Sequence, residues 1–600
     1  MFRRPLVLVA LTAATLLATG PLPAAAAPDS AAPPAQPVAV GFGGAVATVD
    51  AEATAAGIEV LRRGGNAVDA AVTAAAVLGV TEPFSSGIGG GGFFVFYDAR
   101  SRTVRTIDGR EAAPRSMRED AFINPVTHLP FEFPEARVSG ISVGVPGTPA
   151  TWQAALRRWG TISLREALRP GVRVAERGFL VDATFNSQVA GNRDAFGQFS
   201  STSALYLPGG QPPAVGSTFR NPDLARTYEL LAREGVGALY HGVLARDIVR
   251  TVQHPPLSDT PIGTWAFPIR PGGMQFSDLA RYRVRTPAPT HSAYRGLDVF
   301  GMATPSSGGT AVGEALNILE TVDLGGLSRV QALHHYLEAS ALAFADRNRY
   351  VGDGTPRAVL NELLSDGFAK QRACLINPDK ALTKPVPPGV LGTDACQAAP
   401  AAAMGTNERG TTNLTVADKW GNVVEYTLTI EQTGGNAMVV PGRGFLLNNE
   451  LTDFNFVQTP GAPPDPNLPA PGKRPRSSMS PTILLQHGRP LLATGSPGGS
   501  TIITTVLQIL VNRLDLRMSL PEAIAAPRAT QRNTAAVQAE PAFLALPEAT
   551  ALAALGHVFT PNPEIGAATG VEFLRDGSVL AAAEPVRRGG GAAAVVQPAR

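Results

Sequence analysis

The region around Thr411 brings together groups that could transfer an acyl group. Gly410 precedes Thr411, and Thr429 and Glu431 follow in the next strand-like stretch. A threonine hydroxyl is too weakly acidic to attack an amide unaided. If the peptide bond before Thr411 is cut, the new α-amine can act as the base, because an unperturbed α-amine has a pKa of roughly 7.7–8.0. The pattern is compatible with an N-terminal threonine nucleophile, made by cleavage between Gly410 and Thr411.

A hairpin would position these groups. Apolar and polar residues alternate over 413–416 with the period of a half-buried strand. Residues 419–422 (Lys-Trp-Gly-Asn) are typical of a turn, and 423–430 supply the return strand. Antiparallel pairing places Thr411 opposite Ile430, within one residue, so the neighbours of Ile430 flank the nucleophile. On local geometry alone, a threonine-rich edge hairpin with no catalytic role is the commoner explanation of the same pattern, and both interpretations stay open.

The other elements mix helices and strands. Helices are predicted over residues 51–63, 67–78 and 330–345, and a strand over Phe93–Tyr97. Strands are expected to dominate between Thr411 and Thr505. The proline-rich loop 459–475 is long enough to be either a functional lid or a disordered segment.

Three patterns suggest other chemistry, and each has a simpler explanation. Gly87–Gly92 satisfies a dinucleotide-binding spacing, but a helix precedes it and a strand follows, which is the reverse of the required order. These glycines are expected to allow close backbone packing. His334-His335 lacks a carboxylate at metal-protease spacing and is expected on a helix surface or in a satisfied core position. Gly495–Gly498 has Thr494 where a nucleophile elbow needs glycine.

Composition and charge narrow the function classes. The chain is 44% hydrophobic and 17% charged, which is typical of a globular protein, and its net charge is +2. Such a balance provides no long-range field for nucleic acid or anionic lipid. The N-terminal apolar stretch is too short to span a bilayer comfortably, and no later stretch reaches the roughly 18 uninterrupted apolar residues of a membrane span.

The N-terminus is typical of an exported protein. Arg3 and Arg4 precede the apolar stretch Leu6–Leu17, and small residues at 24–26 suit a signal peptidase. We therefore expect a signal peptide over residues 1–26, a flexible linker over 28–37, and a secreted or extracytoplasmic location. A membrane anchor is the alternative.

The two cysteines, Cys374 and Cys396, are expected to pair in an oxidising compartment. A disulfide would exclude a cysteine nucleophile and a thiolate metal site.

Several ordered motifs resemble those of the γ-glutamyltransferase (glutathione hydrolase) family, and the similarity covers residues from about 40 to 590. The motifs are Gly64-Gly65-Asn66-Ala67-Val68-Asp69-Ala70-Ala71, Gly89-Gly90-Gly91-Gly92-Phe93, Arg110-Glu111-Ala112-Ala113-Pro114, Pro305-Ser306-Ser307-Gly308-Gly309, Ala345-Asp346-Arg347, Thr411-Thr412, Asn448-Asn449-Glu450-Leu451-Thr452-Asp453-Phe454, residues 473–482 (KRPRSSMSPT) and Gly495-Ser496-Pro497-Gly498-Gly499.

The resemblance implies a role for each matched residue. Thr411 would be the nucleophile, with Thr429 hydrogen-bonded to it. Arg110, Ser477 and Ser478 would hold the substrate α-carboxylate, since a guanidinium offers two parallel hydrogen bonds to a planar anion. Glu450 and Asp453 would receive the α-ammonium, and Glu431 would add a third carboxylate at that end of the pocket, facing the single cation Arg110 at the other end. Backbone amides of Gly498 and Gly499 would face the oxyanion.

The family also implies a fold and a maturation pathway. The fold would be the α+β, four-layer αββα sandwich of N-terminal-nucleophile hydrolases, formed by a large subunit (27–410) and a small subunit (411–600) as one heterodimer. A γ-glutamyl ester on Thr411 would be released to water or to an amino acid or peptide amine. No metal or organic cofactor is implied. Glu431, where relatives often have Asn, and Asn413, where they often have His, leave substrate detail open.

Three other functions are compatible with the motifs. A cephalosporin-acylase-like amidase would share the fold and nucleophile but take a glutaryl-like group. A poly-γ-glutamate hydrolase is a second enzymatic variant. An uncleaved binding protein would retain the fold without catalysis.

Overall fold

The computed structural model describes residues 1, 35–393, 395–396, 410–461 and 463–599. Residues 2–26 of the predicted signal peptide and 28–34 of the predicted linker lie outside the described residues, as does the stretch 397–409 before the predicted cleavage point. Within the part of the chain that is described, no helix has both the length and the apolar character needed to cross a bilayer.

The described residues form both strands and helices. The strands are β1 Val38–Thr48, β2 Gly91–Asp98, β3 Thr103–Asp108, β4 Phe179–Leu180, β5 Thr218–Phe219, β6 Thr290–Tyr294, β7 Leu297–Gly301, β8 Thr412–Asp418, β9 Val423–Thr429, β10 Thr482–Gln486, β11 Arg489–Gly495, β12 Ala529–Thr530, β13 Val537–Ala539, β14 Phe559–Pro561, β15 Thr569–Phe573, β16 Val579–Ala583 and β17 Ala592–Pro598.

The α-helices are α1 Ala51–Arg62, α2 Ala67–Thr81, α3 Phe133–Arg137, α4 Thr148–Trp159, α5 Leu164–Arg177, α6 Ala183–Gly191, α7 Arg193–Phe196, α8 Ser200–Tyr206, α9 Pro222–Glu234, α10 Gly237–Tyr240, α11 Val243–Gln253, α12 Phe276–Arg281, α13 Gly308–Glu320, α14 Arg329–Tyr350, α15 Arg357–Leu363, α16 Asp366–Ala373, α17 Ile502–Leu514, α18 Leu520–Ala525, α19 Pro541–Leu544 and α20 Pro547–Ala554. Single 3₁₀ turns span Gly140–Ser142, Pro208–Gly210, Leu324–Gly326, Glu450–Asp453, Gly499–Thr501 and Arg587–Gly589.

One hydrogen-bonded sheet organises the molecule. Its order is β3-β2-β9-β8-β1-β16-β15-β11-β10-β7-β6, and β17 also pairs with β1. The sheet folds over, because β11 and β15 contact β8 although they are not its neighbours in the strand order. Helices α1, α2 and α4 cover one outer face, and α13 and α17 cover the other. The result is the predicted α+β, four-layer αββα arrangement.

Side-chain alternation on β2 shows how the layers separate. Phe94 and Phe96 point into the core with α2, whereas Phe93 and Val95 point into the core shared with α13. Successive residues of a strand face opposite sides, so one strand serves two cores. This is why β2 reads as a nearly continuous apolar run rather than as a polar–apolar alternation.

The two predicted helices near the N-terminus are confirmed, although α2 continues past the predicted end at residue 78 to Thr81. Helix α1 ends before Gly64, whose φ of +91° is accessible to glycine at little cost. Asn66 caps α2, accepting hydrogen bonds from the amides of Val68 and Asp69. The Asp69 side chain accepts from the Asn66 amide in return, which completes a capping box. The predicted helix over 330–345 is also present, as part of α14.

The prediction that strands dominate between Thr411 and Thr505 is wrong for the middle of that stretch. Among the described residues from 431 to 481, the only helical or strand element is the 3₁₀ turn Glu450–Asp453. Asparagine side chains replace sheet partners here. The Asn448 side chain accepts a hydrogen bond from Gly144 N at 2.9 Å, and the Asn449 side chain accepts one from Gln432 N at 3.1 Å.

Candidate active site

The head of the β8–β9 hairpin brings the predicted nucleophile and its partner together. Thr412 pairs with Leu428, so Thr411 lies opposite Thr429, one residue from the first predicted register and within its margin. The hydroxyl of Thr411 donates to that of Thr429 at 3.1 Å. Both side chains are buried. The hairpin therefore brings Thr411 and Thr429 together, as predicted.

The hairpin is central rather than at an edge. Strand β9 pairs with β2 on its other side, and β8 pairs with β1. Both strands are buried along their whole length, whereas the sequence pattern predicts a half-buried strand. The interpretation as a threonine-rich edge hairpin is therefore wrong.

The backbone at the predicted cleavage point is tightly held. Thr411 has a φ of +94°, which strains a β-branched residue. Gly410 lies against the return strand, where an added Cβ would be 1.7 Å from the carbonyl oxygen of Glu431. Arg588 donates to the carbonyl oxygen of Thr411 at 2.5 Å and to the hydroxyl of Ser85 at 2.9 Å.

Glycines of the 87–92 segment provide the close packing predicted for them. A Cβ on Gly90 would lie 2.0 Å from the carbonyl oxygen of Thr429, and one on Gly89 would lie 1.9 Å from that of Leu446. The segment follows helix α2 and leads into strand β2, the reverse of a dinucleotide-binding unit.

A charged cluster surrounds Arg110, and it corrects one expectation. The guanidinium pairs directly with the carboxylates of Glu450 and Asp453, all three buried. Arg110 also donates to the carbonyl oxygens of Pro475 and Arg476, each at 3.1 Å. The predicted separation of a cationic end from an acidic end of the pocket is therefore wrong. Two carboxylates in a dry site need a cation beside them, and Arg110 is that cation.

The cluster contains more carboxylates than cations. Two carboxylates share the Arg110 guanidinium, and Oε2 of Glu450 has no hydrogen-bond partner within the described residues. Burial raises the pKa of the neighbouring Glu111 to about 8, although Arg110 opposes the shift. Neither carboxyl oxygen of Glu111 has a hydrogen-bond partner in the described part of the chain. Glu111 is thus neutral near pH 7.

Ser477 and Ser478 lie beside this cluster, in the segment whose carbonyls Arg110 contacts. The hydroxyl of Ser478 accepts from Arg347 at 2.8 Å, and Arg347 also donates to Ser307 at 2.7 Å. The hydroxyl of Ser477 accepts from Met479 N at 3.1 Å. Arg347 and Ser307 had no predicted role, although both lie in the ordered motifs Ala345-Asp346-Arg347 and Pro305–Gly309, which are the sequence signal for them.

Glu431 has hydrogen-bond partners on both its side chain and its backbone. Its carboxylate accepts a hydrogen bond from the Asn449 side chain, and its amide donates to the hydroxyl of Thr429 at 2.8 Å. Burial lowers the pKa of Arg137 to about 10, and the nearby charge of Glu431 opposes that shift. Glu431 thus belongs to a local network with Asn449 and Arg137, whereas Glu450 and Asp453 pair with Arg110.

Gly498 and Gly499 form the turn between β11 and α17. Their φ angles are +132° and +60°, values that favour glycine. A Cβ on Gly498 would lie 2.7 Å from the hydroxyl of Thr501. The turn follows β11, the strand that packs across β8 and β9. Glycine at these positions allows the positive φ angles of this turn, and the oxyanion role of its amides stays a prediction.

The loop 459–475 contains no helix or strand among its described residues, 459–461 and 463–475. Its far end is anchored, because Ala113 N donates to Lys473 O at 2.8 Å and Arg474 pairs with Asp108. A cavity of about 660 Å³ lies between this loop and residues 117–123. Whether the loop acts as a lid stays a prediction.

Two predictions about residues outside the site are confirmed. Cys374 and Cys396 form a disulfide. His334 is a satisfied core residue, bonded to His557 at 2.8 Å and to the carbonyl of Asn377 at 2.8 Å. Its neighbour Glu338 completes a buried group that could hold a metal ion. Lys384 already supplies a cation there, because its ammonium pairs with Glu338.

The fold and this threonine-headed hairpin define the class of the N-terminal-nucleophile hydrolases. A family model described as gamma-glutamyltranspeptidase matches residues 53–595. The chain belongs to the γ-glutamyltranspeptidase family. It is 38% identical over 502 residues to the glutathione hydrolase proenzyme of Bacillus subtilis strain 168, covering 82% of this chain and 81% of that protein.

Acylases are also similar to this chain. It is 34% identical over 559 residues to the acylase ACY 1 proenzyme of Pseudomonas sp. strain SE83, covering 91% of this chain and 92% of that protein. The crystal structure of a cephalosporin acylase from Bacillus halodurans superposes with a TM-score of 0.78 at 26% identity, over 95% of this chain and 99% of that one.

Proposed function

We propose that the chain cuts itself between Gly410 and Thr411 and then hydrolyses or transfers the γ-glutamyl group of compounds such as glutathione. The observation that carries this proposal is the contact between the Thr411 and Thr429 hydroxyls at the head of the central hairpin. The strained φ of Thr411 supports self-cleavage, because releasing such strain is worth on the order of 1–3 kcal/mol.

In the proposed maturation, the Thr411 hydroxyl attacks the carbonyl carbon of Gly410. The C–N bond breaks, the amide nitrogen takes the hydroxyl proton, and an ester links Gly410 to Thr411. Water then hydrolyses that ester. The products are a carboxylate on Gly410 and a free α-amine and hydroxyl on Thr411.

In the proposed turnover, the α-amine of Thr411 accepts the hydroxyl proton while the oxygen attacks the γ-carbonyl of the substrate. The proton passes to the departing amine, leaving a γ-glutamyl ester on Thr411. Water or an acceptor amine attacks the ester and restores the hydroxyl. Amides of Gly498 and Gly499 would stabilise the oxyanion.

The charged cluster suits an α-amino acid. The ammonium and carboxylate of a γ-glutamyl group sit on one carbon, so a cation and anions must stand side by side in the site. Arg110 in contact with Glu450 and Asp453 meets this condition. Arg110 would bind the α-carboxylate, with Ser477 and Ser478 nearby, while the carboxylates would bind the ammonium.

The second candidate is a glutaryl amidase, which the extensive similarity to acylases favours. A glutaryl group has the same chain and the same terminal carboxylate but lacks the α-ammonium. It would leave the acidic part of the cluster without a new counter-ion. An unpaired buried carboxylate costs on the order of several kcal/mol, so the cluster favours the γ-glutamyl group.

A comparison of two p-nitroanilides tests the assignment. We expect kcat/KM for the γ-glutamyl anilide to exceed that for the glutaryl anilide by orders of magnitude. Comparable values, or a glutaryl advantage, would contradict the transferase assignment while leaving the nucleophile intact. Turnover of glutathione with and without a dipeptide acceptor then separates hydrolysis from transfer.

Export stays a proposal. The extracytoplasmic location depends on the N-terminal 26 residues predicted as a signal peptide. The N-terminal sequence of the protein recovered from the culture medium or cell envelope would test it, since we expect the mature chain to begin after Ala26.

A further inference from the structure

Arg588 contacts the residue that would become the new N-terminus. Its guanidinium donates to the carbonyl oxygen of Thr411 at 2.5 Å and to the Ser85 hydroxyl at 2.9 Å. These partners come from opposite sides of the proposed cleavage point in the chain. Arg588 therefore connects Thr411 to Ser85, a residue of the fragment that precedes the proposed cleavage point.

The turn that carries Arg588 is firmly built. Arg588 has a φ of +55°, and its amide donates to the Glu564 side chain at 2.9 Å. The preceding residue, Arg587, pairs with Glu540 and with Glu584. A guanidinium on such a turn is held in one place, so its hydrogen bonds and its charge act on a fixed target.

Cleavage makes this contact more important. A mature Thr411 has lost its covalent link to Gly410, and the nucleophile must still face Thr429. The hydrogen bond from Arg588 to the carbonyl oxygen of Thr411 restrains Thr411 on its C-terminal side. That oxygen is only three covalent bonds from the α-nitrogen, so the guanidinium charge also lies close to the α-amine.

Other charges face the same region. Glu82 lies near Arg588; burial raises the pKa of Glu82 to about 7, and Arg588 opposes the shift. Asp50 and Asp182 add negative charge around Glu82, and burial raises the pKa of Asp50 to about 6. Just after the return strand, Glu431 adds a negative charge, and Arg137 at the end of α3 lies near it. Arg588 is the cation in hydrogen-bond contact with Thr411.

We propose that Arg588 is a positioning residue that holds Thr411 through its carbonyl oxygen and, through its charge, keeps the α-amine of the mature enzyme neutral and able to act as the base. This role rests on the proposed function. A protonated amine cannot accept the hydroxyl proton, and a nearby cation disfavours protonation.

The acid limb of the pH profile of kcat/KM tests the proposal, because it reports the base of the free enzyme. Arg588→Gln keeps a donor but removes the charge. We expect the acid limb to move by about one unit toward higher pH. Arg588→Lys keeps the charge and should leave the limb close to the wild-type position. A purely structural role would lower activity in both variants without moving the limb.

Glu82 could titrate in the same range, so a second background separates the two groups. The shift caused by Arg588→Gln should persist when Glu82→Gln is also present. A limb that no longer moves in that background would show that it reports Glu82 and would overturn the proposal. If Arg588→Gln does not mature, Glu82→Gln alone tests the local field, since removing a negative charge should move the limb to lower pH.

Failure of the proposed function and failure of the role of Arg588 give different results. Wild-type protein with no γ-glutamyl activity would contradict the proposed function. Activity with an acid limb that is unchanged by Arg588→Gln would contradict only the role of Arg588. An acid limb that stays at the wild-type pH in both Arg588→Gln and Glu82→Gln would likewise overturn the role of Arg588.

Discussion

At the scale of single residues, the charges around Arg110 decide what the candidate site can bind. One guanidinium contacts two buried carboxylates, Glu450 and Asp453. Placing a substrate carboxylate on Arg110 and its ammonium on the acids exchanges one set of ion pairs for another. The exchange keeps every charge paired, so it avoids most of the cost of burying ions.

Replacing Arg110 with lysine tests this exchange. Arg110→Lys keeps the charge but loses the planar pair of donors, so we expect KM for a γ-glutamyl anilide to rise by about 10- to 150-fold, equivalent to 1.5–3 kcal/mol. Maturation should be retained, because Arg110 takes no part in cutting the backbone. Arg118→Lys, on an exposed surface pair, is the matched control. Unchanged kinetics in Arg110→Lys would show that this residue does not hold the substrate.

Glu111 provides a pH prediction. Its pKa is about 8 in the folded protein because of burial, against an ordinary value of 4.5. The folded state therefore holds the proton more tightly than the unfolded state. The stability from this group is fully present below pH 4.5 and is lost as the pH rises through 8. The free energy of unfolding of Glu111→Gln, measured relative to wild type, should rise by on the order of several kcal/mol between pH 5 and pH 8.

Unfolding midpoints of wild type and Glu111→Gln at pH 5 and pH 8 measure this effect. A difference between the two proteins that does not change with pH would mean that Glu111 is ionised in the folded state.

At the scale of elements, local patterns were predictable and distant partners were not. Helices α1 and α2 and the β8–β9 hairpin follow from periodicity and capping signals within a few residues. The hairpin was placed correctly, but its position between β1 and β2 depends on residues far away in the chain. Likewise, no local signal could pair Arg588 with Thr411, which are 177 residues apart.

The long stretch after β9 shows the same limit. Its residues satisfy their backbone groups with asparagine side chains rather than with neighbouring strands. Turn-forming residues indicated where this stretch bends. The sequence does not reveal which backbone amide donates a hydrogen bond to each asparagine side chain. The resemblance to a family predicted the site residues. It did not indicate that Arg110 would pair directly with the two acids.

The close approach of Gly410 to the return strand yields an element-scale prediction. A Cβ at Gly410 would clash with the carbonyl of Glu431, so Gly410→Ala must move the scissile bond away from the Thr411 hydroxyl. We expect maturation to slow at least tenfold, corresponding to about 1.4 kcal/mol on the barrier. The fraction of cut chain, followed over time on a denaturing gel, measures it.

Two variants frame that experiment. Thr411→Ala removes the nucleophile and should give one uncut band with no activity. Gly191→Ala, at a helical glycine with open space around it, should mature at the wild-type rate. Normal processing of Gly410→Ala would show that the tight contact does not position the scissile bond.

At the scale of the whole molecule, the two proposed subunits share one sheet. Strands β1, β2 and β7 precede the cleavage point, and each pairs with a strand that follows it: β8, β9 and β10. Separating the fragments would break these ladders and expose both cores. Cleavage should therefore leave the fragments associated, with no covalent link required.

The disulfide makes this independence testable. Cys374 and Cys396 both precede Gly410, so they close a loop within the large fragment and do not join the two. Mature protein should run as one species in size-exclusion chromatography, yet give two bands on a denaturing gel with or without reductant. Cys374→Ser should lose roughly 3 kcal/mol of stability from the opened loop and still contain both fragments. Release of the small fragment from this variant would mean that the disulfide loop, rather than the shared sheet, holds the subunits together.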